Sequence, residues 1–509
     1  MNGITIAWLL LPLLAAFLAA LLPVIGRFAV LVTCLGTGAM ALAAQQSWLP
    51  ASLQLLGPLG ITIQPDVLAA PFLLLNALVC AAVLLDGWGR PSREAWPLLL
   101  LVLHGSVNSA IVAADLISIY VALEVVGIAA FLLLVLGGGR RQVWLGLRLM
   151  LVSNTVMLLF LIGCALLYLE QHSFALAAVG QSGGLVLALL AVALLTKAEV
   201  FVAGLWLPRT NAEGPLEVSA LLSGTVVSAG VVPLLRISAE AVSLLPVLRW
   251  LGIASAAAGV LLALLEPDLR RLLAWSTLAQ MGLVVILPAV GGLYALGHGL
   301  AKAALFLLAR HIPDPALAGW RQRPLAPRLW WPLMLASLSI AGLPPLLGFL
   351  AKEQLSSQLP GAAGWLVAAL GAGTVAVYAR IWGPPLATLS TPAGSPHGIA
   401  HADAGATPAA ATGATVLVGA LVLLSASPWV LPLWTAMDPQ ELAGAMLKSA
   451  SVFAAGLMLH RLLHASASAP VSAPVPAPAW RPQLEGLDEL LGAIVMLAAV
   501  LLALLGWQA

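Results

Sequence analysis

The sequence predicts an all-α protein that crosses a membrane many times, and three observations carry that prediction. Of 509 residues, 61% are hydrophobic and only 8% charged, with a mean hydropathy of +1.05. A soluble domain of this length could not cover its surface with so few charges. The apolar residues come in runs of about 20, the length an α-helix needs to cross the hydrocarbon core. The third observation is the placement of lysine. There are four, and Lys197, Lys302 and Lys352 lie inside long apolar segments, whereas the arginines lie mostly between or at the ends of such segments. An ionisable side chain within a span is expensive and usually marks an ion or proton path. The pattern points to a protein that moves charge across a bilayer.

Divided at its charged, Gly-rich and Pro-rich breaks, the chain offers sixteen candidate spans. They cover residues 4–25, 28–44, 66–86, 96–114, 115–136, 143–168, 183–207, 217–236, 245–265, 271–289, 291–309, 330–354, 361–384, 412–436, 441–463 and 486–507. The second is short. The first has no basic run before it and reads as a mature span, not a cleaved signal. The arginines test the count. With the N-terminus outside, the inner loops hold Arg27, Arg90, Arg93, Arg140, Arg141, Arg209, Arg270 and Arg271. They also hold Arg310, Arg321, Arg323, Arg328, Arg380, Arg461 and Arg481, and the outer loops hold Arg236 and Arg249. Inner loops are enriched in Lys and Arg, so sixteen spans with both termini outside fit the charges. An error of one span would scramble the alternation.

Residues 385–411 are rich in Ala, Gly, Thr and Pro, and residues 465–480 (ASASAPVSAPVPAPAW) read as an extended Pro/Ala linker. The last span therefore looks tethered and separable. The outer segment 45–65 alternates enough to suggest a short hairpin. Two spans are interrupted by helix breakers, LLTKAEVFVAGLWLP (194–208) and SIAGLPPLLGFLAK (339–352), and each carries a lysine. Paired broken spans in two halves of a chain point to inverted repeats with an ion site near the midplane. The backbone groups freed by a break must be satisfied by neighbours or water, which suits a hydrated charge-transfer path.

Other features need no special chemistry. Cys34, Cys80 and Cys164 are far apart in apolar stretches and read as small core residues. Trp48, Trp88, Trp96, Trp330, Trp331 and Trp480 fall near span ends, as an aromatic belt requires. The net charge of +2 implies no nucleic-acid partner. No glycine-rich nucleotide loop, haem ligand pair or cysteine cluster is present, so no cofactor and no metal are expected, and this chain alone should not oxidise a nicotinamide.

Six stretches in order resemble a known family. They are DLISIYVALEVVG (115–127), LLTKAEVFVAGLWLP (194–208), GPLEVSALLSGTVVSAG (214–230), EPDLRRLLAWSTLAQMG (266–282), GHGLAKAALFL (297–307) and ASLSIAGLPPLLGFLAKEQL (336–355). Across roughly residues 60–385 the chain is similar to the antiporter-like membrane subunits of complex I (NADH:quinone oxidoreductase) and of Mrp-type multi-subunit cation/proton antiporters, most of all to the D-type component of Mrp. The resemblance implies a core of about 14 helices with two inverted five-helix repeats and broken helices, plus about two extra C-terminal helices. The implied divisions are N-terminal helices over 1–95, a first proton-channel half over 96–236 and a second half over 245–384. A low-complexity loop (385–411), C-terminal helices (412–463), a Pro/Ala-rich linker (464–485) and a final helix (486–509) follow.

The resemblance also implies a proton relay. Glu124 matches the family's glutamate of the fifth helix and Lys197 the lysine of the first broken helix. His298 and Lys302 match the eleventh helix, and Lys352 the terminal residue of the second broken helix. Departures accompany these matches. Ser228 stands near the family's usual Lys or His, and Tyr294 replaces a histidine found in many relatives. Arg209 stands where an Asp often follows WLP, and Leu216 and Glu217 replace Thr-Pro. Water held by Ser228 is one substitute for the missing relay group.

Glu124 and Lys197 would attract strongly in a low dielectric and each would alter the other's proton affinity; the alternative is a fixed ion pair that joins two helices. Lys302 and His298, four residues apart, share a helix face and could pass protons through bridging water; the alternative for His298 is a neutral hydrogen-bonding residue. Lys352 is either the exit residue or a snorkelling lysine. Lys448 reads as snorkelling near the outer face, and Asp115 and Glu353 as solvated at span ends. Arg270 and Arg271 read as anchors at the inner interface, in contact with a partner or a lipid headgroup. Glu199 is unusual, two residues after Lys197: it could accept that lysine's proton, contact a lipid headgroup or pair with Arg209.

The expected function is proton translocation by an integral subunit working with other membrane subunits, in a bacterial inner (plasma) membrane. An Mrp-like assembly would exchange Na+ or K+ for protons. A complex I-like NAD(P)H- or ferredoxin:quinone oxidoreductase would use redox energy from other subunits, and this chain would be at most a non-redox component of that enzyme. A structural membrane partner that does not conduct, for example in inorganic-carbon uptake, and a self-sufficient transporter are the remaining classes.

Overall fold

The computed structural model describes residues 2–55, 61–88, 94–200, 203–312, 314–387, 411–435, 437–464 and 487–506. The low-complexity loop and the Pro/Ala linker, with Arg90, Arg93, Arg481 and Trp480, lie almost wholly outside the described residues.

Helices occupy every segment predicted to span. They are α1 (Asn2–Leu21), α2 (Gly26–Gln45), α3 (Ala69–Asp86), α4 (Ala95–Val112), α5 (Leu116–Val135) and α6 (Arg140–Gln171). The first broken span follows a short α7 (Leu176–Val179) and consists of α8 (Gly184–Lys197), a 3-10 turn (Ala203–Trp206) and α9 (Leu207–Glu213). Next come α10 (Leu216–Leu221), a π-helical turn (Leu222–Val226) and α11 (Val227–Glu240). Beyond them are α12 (Leu244–Leu265), α13 (Leu269–Val284) and α14 (Pro288–Ala309). The second broken span is α15 (Pro327–Ala341) and α16 (Leu347–Ser357), followed by α17 (Ala362–Ala379). The chain continues with α18 (Thr412–Ser425), α19 (Leu431–Thr435), α20 (Pro439–His464) and α21 (Leu487–Gly506). Eleven described helices are long and apolar enough to cross a membrane, and three shorter apolar ones accompany them.

The predicted hairpin exists as β1 (Leu53–Gln54) antiparallel to β2 (Thr62–Ile63), with Leu53 opposite Ile63. The short second span is a full helix of 20 residues. Two interruptions were not expected. The π-turn breaks the α10–α11 span, and the span predicted over 412–436 ends at Ser425 before a second short helix.

The core is organised around two rods, α10–α11 and α14, each 94% buried along its apolar stretch. By contrast α1 and α20 expose most of their apolar surface, 28% and 11% buried, as helices facing lipid can. The final helix is not separable as expected: α21 packs against α8 and the turn after it, burying Leu490, Ile494, Leu497 and Leu501. α20 packs along α17, where Trp382 stacks on Phe453.

Ion pairs join segments predicted to lie on the same side of the membrane. On the predicted inner side Glu213 binds Arg141 and Arg209, Arg310 approaches Asp86 and Glu217 at 3.6 Å each, and Arg271 binds Glu266 at 3.2 Å. On the predicted outer side Arg236 holds Asp66 through both carboxylate oxygens at 2.8 and 2.9 Å and donates to the Gln64 carbonyl at 2.9 Å. Three expectations for charged residues need correction. Asp115 is buried and accepts from the amides of Ser118 (2.7 Å) and Thr62 (2.9 Å), so it caps α5 and ties it to β2. Glu353 and Lys448 pair at 3.2 Å, and Lys448 also donates to Ser356 at 2.6 Å. Neither is free in solvent, because α20 is brought against α16 at that point.

Arg236 is only 6% exposed in its side chain, and stranding a buried charge costs about 3 kcal/mol or more. Asp66→Ala should therefore lower the thermal midpoint of the detergent-purified protein clearly. Asp314→Ala, which removes the half-exposed pair with Arg323, should cost under about 1 kcal/mol.

Candidate functional site

Backbone carbonyls and hydroxyls hold the amines of all three lysines in the apolar segments, and two of those lysines sit at helix breaks. Lys197 is the last residue of α8. Its Nζ donates to Ser153 Oγ on α6 at 2.5 Å and lies 3.4 Å from the Leu123 carbonyl on α5. Glu124 is the next residue on α5 and is partly buried, yet among the described residues it forms no ion pair with Lys197. The predicted pair is therefore open in this structure. Close packing sets the lysine's position: a Cβ on Gly230 of α11 would lie 2.6 Å from Lys197 Cβ.

Lys302, on α14, is fully buried. It donates to the Leu273 carbonyl of α13 at 2.6 Å and to the Tyr378 hydroxyl of α17 at 2.9 Å, and Tyr378 bonds Ser276 at 2.9 Å. Lys352, on α16, reaches back across the second break to the Ile340 (2.6 Å) and Ala341 (3.1 Å) carbonyls that end α15. Those carbonyls are free because Gly342 turns the chain out of the helix at φ 95°. The negative end of the α15 dipole favours a cation at that point.

His298 shares α14 with Lys302 but not its partners. It is buried, neither ring nitrogen has a hydrogen-bond partner among the described residues, and it lines a small cavity with Lys352, Tyr294, Gln280 and Ser339. That cavity offers about 10 Å³ to water centres, close to the space one water needs. Tyr294 donates to Gln280 at 2.8 Å. His298 thus lines a cavity with Lys352 while sharing α14 with Lys302. Ser228 is buried with its hydroxyl unpartnered among the described residues.

A second cavity, of about 30 Å³ by the same measure, lies between α5, α6 and the first break. Lys197, Ser153, Thr196, Glu199 and Trp206 line it. Arg209 does not reach Glu199: it pairs with Glu213 at 3.3 Å and stacks on Trp144 at 4.8 Å.

Sequence reasoning did not single out Ser153, Ser276, Gln280 or Tyr378. All are neutral polar groups inside apolar spans, which is a readable signal, but nothing in the sequence says which of them meets a lysine. It also did not foresee a buried polar chain leading to the π-turn. Trp8 donates to Thr37 (3.0 Å), Asn108 to Thr37 (3.0 Å), Asn76 to Asn108 (2.8 Å) and Thr225 to Asn76 (2.7 Å), with His104 Nε2 2.9 Å from Thr37.

Helices throughout, two discontinuous spans and lysine amines enclosed among them define an integral, multi-pass membrane protein built around intramembrane ionisable groups. Residues 113–377, more than half of the chain, match the family model for the NADH:quinone oxidoreductase/Mrp antiporter transmembrane region, and the chain belongs to that family. The N subunit of the NADH-quinone oxidoreductase of Desulforudis audaxviator is 29% identical over 352 residues, 62% of this chain and 69% of the relative. The D subunit of the Na(+)/H(+) antiporter of Alkalihalophilus pseudofirmus is 28% identical over 333 residues, 58% and 67%. In fold, the chain is similar to one in the Mrp complex from Dietzia sp. DQ12-45-1b, with a TM-score of 0.71 at 22% identity over 92% of this chain and 99% of that one. The expected fold class, an all-α polytopic membrane protein with an antiporter-like core, holds.

Tyr378→Phe keeps the ring and removes one of the two groups that hold the Lys302 amine. The expected cost is about 1–3 kcal/mol, read as a lower thermal midpoint of the purified protein; an unchanged midpoint would show that the hydroxyl does not hold Lys302.

Proposed function

We propose that this chain translocates protons as an integral subunit of an Mrp-like cation (Na+ or K+)/proton antiporter, together with other membrane subunits. The observation that carries the proposal is the set of enclosed lysines held by neutral carbonyls and hydroxyls. A carbonyl accepts a hydrogen bond from a neutral amine as well as from an ammonium. A carboxylate in direct contact would lock the charge in place. The amines are thus arranged to gain and lose protons without the site falling apart. The relay runs through Glu124, Lys197, Lys302, His298 and Lys352. Residues 96–236 and 245–384 act as its two halves.

The step at the first break is an exchange between an open and a closed pair. With Glu124 apart, Lys197 is held by Ser153 and Leu123. Approach of Glu124 would favour the ammonium, and withdrawal would release its proton onward. We assign the protein to a bacterial inner membrane with both termini outside, on the distribution of arginine between its loops; ion pairs that join loops of one predicted side agree with the order of the spans. A second reading is favoured by the near-equal identity of the two relatives: a proton-pumping membrane component of a complex I-like quinone oxidoreductase, driven by redox chemistry in other subunits.

The test is dissipation of pH and sodium gradients in everted vesicles carrying the full native gene cluster. The wild type should exchange Na+ or K+ for H+, and Lys197→Ala should lower the exchange at least about 100-fold, the size of effect that loss of a proton-transfer group produces. Exchange unchanged by Lys197→Ala would sink the relay. Proton pumping that requires a quinone and a reductant, with no cation exchange, would move the second reading ahead.

A further inference from the structure

We propose that Glu199 is an additional proton-carrying residue of the first broken helix, exchanging its proton with Lys197 through water in the cavity that both line. The proposal rests on the relay reading above and adds a group to it. Three independent observations support it.

Glu199 is 0% exposed, and both of its carboxylate oxygens are buried without a hydrogen-bond partner among the described residues. A structural glutamate stabilises a fold through its bonds, and this side chain makes none there. An uncompensated carboxylate is costly to bury, so the group must be completed by a proton, a cation or water. Glu199 also has a left-handed backbone, φ 58°, an arrangement uncommon for a residue with a long side chain and usually maintained by its surroundings. The surroundings are built for it: a Cβ on Gly204 would lie 2.5 Å from the Glu199 carbonyl oxygen, so only glycine lets the turn close. Finally, Glu199, Lys197, Ser153 and Thr196 line one cavity of about 30 Å³ to water centres, enough for one or two waters.

Charged and titratable groups stand near this site among the described residues. Lys197 lines the cavity from α8, and Glu124 follows Leu123, which lines it from α5. Arg148 on α6 and Arg209 on α9 gather on Trp144, at 5.6 and 4.8 Å. The step balances simply. The O–H bond of the Glu199 carboxyl breaks as water relays a proton, and an N–H bond forms at the neutral Nζ of Lys197, which leaves a carboxylate and an ammonium. The reverse resets the pair, and no electrons are transferred.

Two measurements in vesicles carrying the native gene cluster test the proposal. Dicyclohexylcarbodiimide reacts with protonated carboxyls in apolar surroundings, so mass spectrometry should find an adduct at Glu199 in the wild type. Proton flux should fall about 10-fold or more in Glu199→Gln, and Glu199→Asp, which keeps a carboxyl, should retain more flux than Glu199→Gln. Absence of the adduct, wild-type flux in Glu199→Gln, or equal losses in both variants would overturn the proposal. Protection of Glu199 from the reagent by Na+ at constant pH would also overturn it, by assigning the carboxylate to a bound cation. If Lys197→Ala abolishes flux while Glu199→Gln does not, only the role of Glu199 fails; if neither change matters, the relay itself fails.

Discussion

An amine carried into the interior of a membrane protein must be met by dipoles, because no bulk water is there to meet it. Much of the irregularity in this fold supplies them. The second break ends α15 in a left-handed glycine and leaves the Ile340 and Ala341 carbonyls open for Lys352. Lys302 takes the Leu273 carbonyl, which already accepts from Thr277 within α13 at 3.1 Å. Lys197, at the end of α8, takes Ser153 and Leu123 from two other helices. Among the described residues, no carboxylate closes on any of these amines. The helices around the lysines are arranged so that the amine can be solvated without being fixed as a cation.

That arrangement needs a rigid frame, and the frame is also polar in places. The hydrogen-bonded chain from Trp8 through Thr37, Asn108 and Asn76 to Thr225 links α1, α2, α3 and α4 to the π-turn between α10 and α11. A π-turn widens the helix by one residue, and such turns are frequent at functional sites. Here Thr225 sits in the turn and faces the network, while Leu222 and Val226 line the Lys197 cavity. The N-terminal helices therefore reach the centre of the molecule through hydrogen bonds as well as apolar packing. The C-terminal helix α21 adds a further flank by packing on α8 and its turn.

Most of the helix plan could be read from the residues. Apolar runs and breakers located the long apolar helices, and the ion pairs of Arg141, Arg236 and Arg310 join the loops that the alternation of arginine placed together. The limits of span reasoning show at Asp115, Glu353 and Lys448. A charge at a span end looks solvated until a second segment is brought against it, as β2 is to Asp115 and α20 to Glu353. The π-turn was not legible because LSGTV differs little in composition from ordinary helix; packing against α3 and α14 decides it. The break after Ser425 was missed because SASPWVLPLW is apolar enough to read as one continuing span. Only the fold shows that Ser425 also accepts the Leu347 amide at the start of α16.

By itself the sequence determined that this is a many-helix membrane protein, that two of its spans are broken, and that lysines stand at those breaks. Those properties follow from chain-local quantities: hydropathy, the steric effect of Gly and Pro, and charge between spans. Tertiary structure alone decided which atoms meet each lysine. It placed Tyr378 on Lys302 across 76 residues of chain and Ser153 on Lys197 across 44, put His298 and Lys352 on one small cavity, and left Glu199 enclosed without a partner among the described residues. Helix period tells which face a residue occupies, but the partner of that face depends on how distant helices cross, and in the interior it is the crossing that fixes which dipoles an amine can reach.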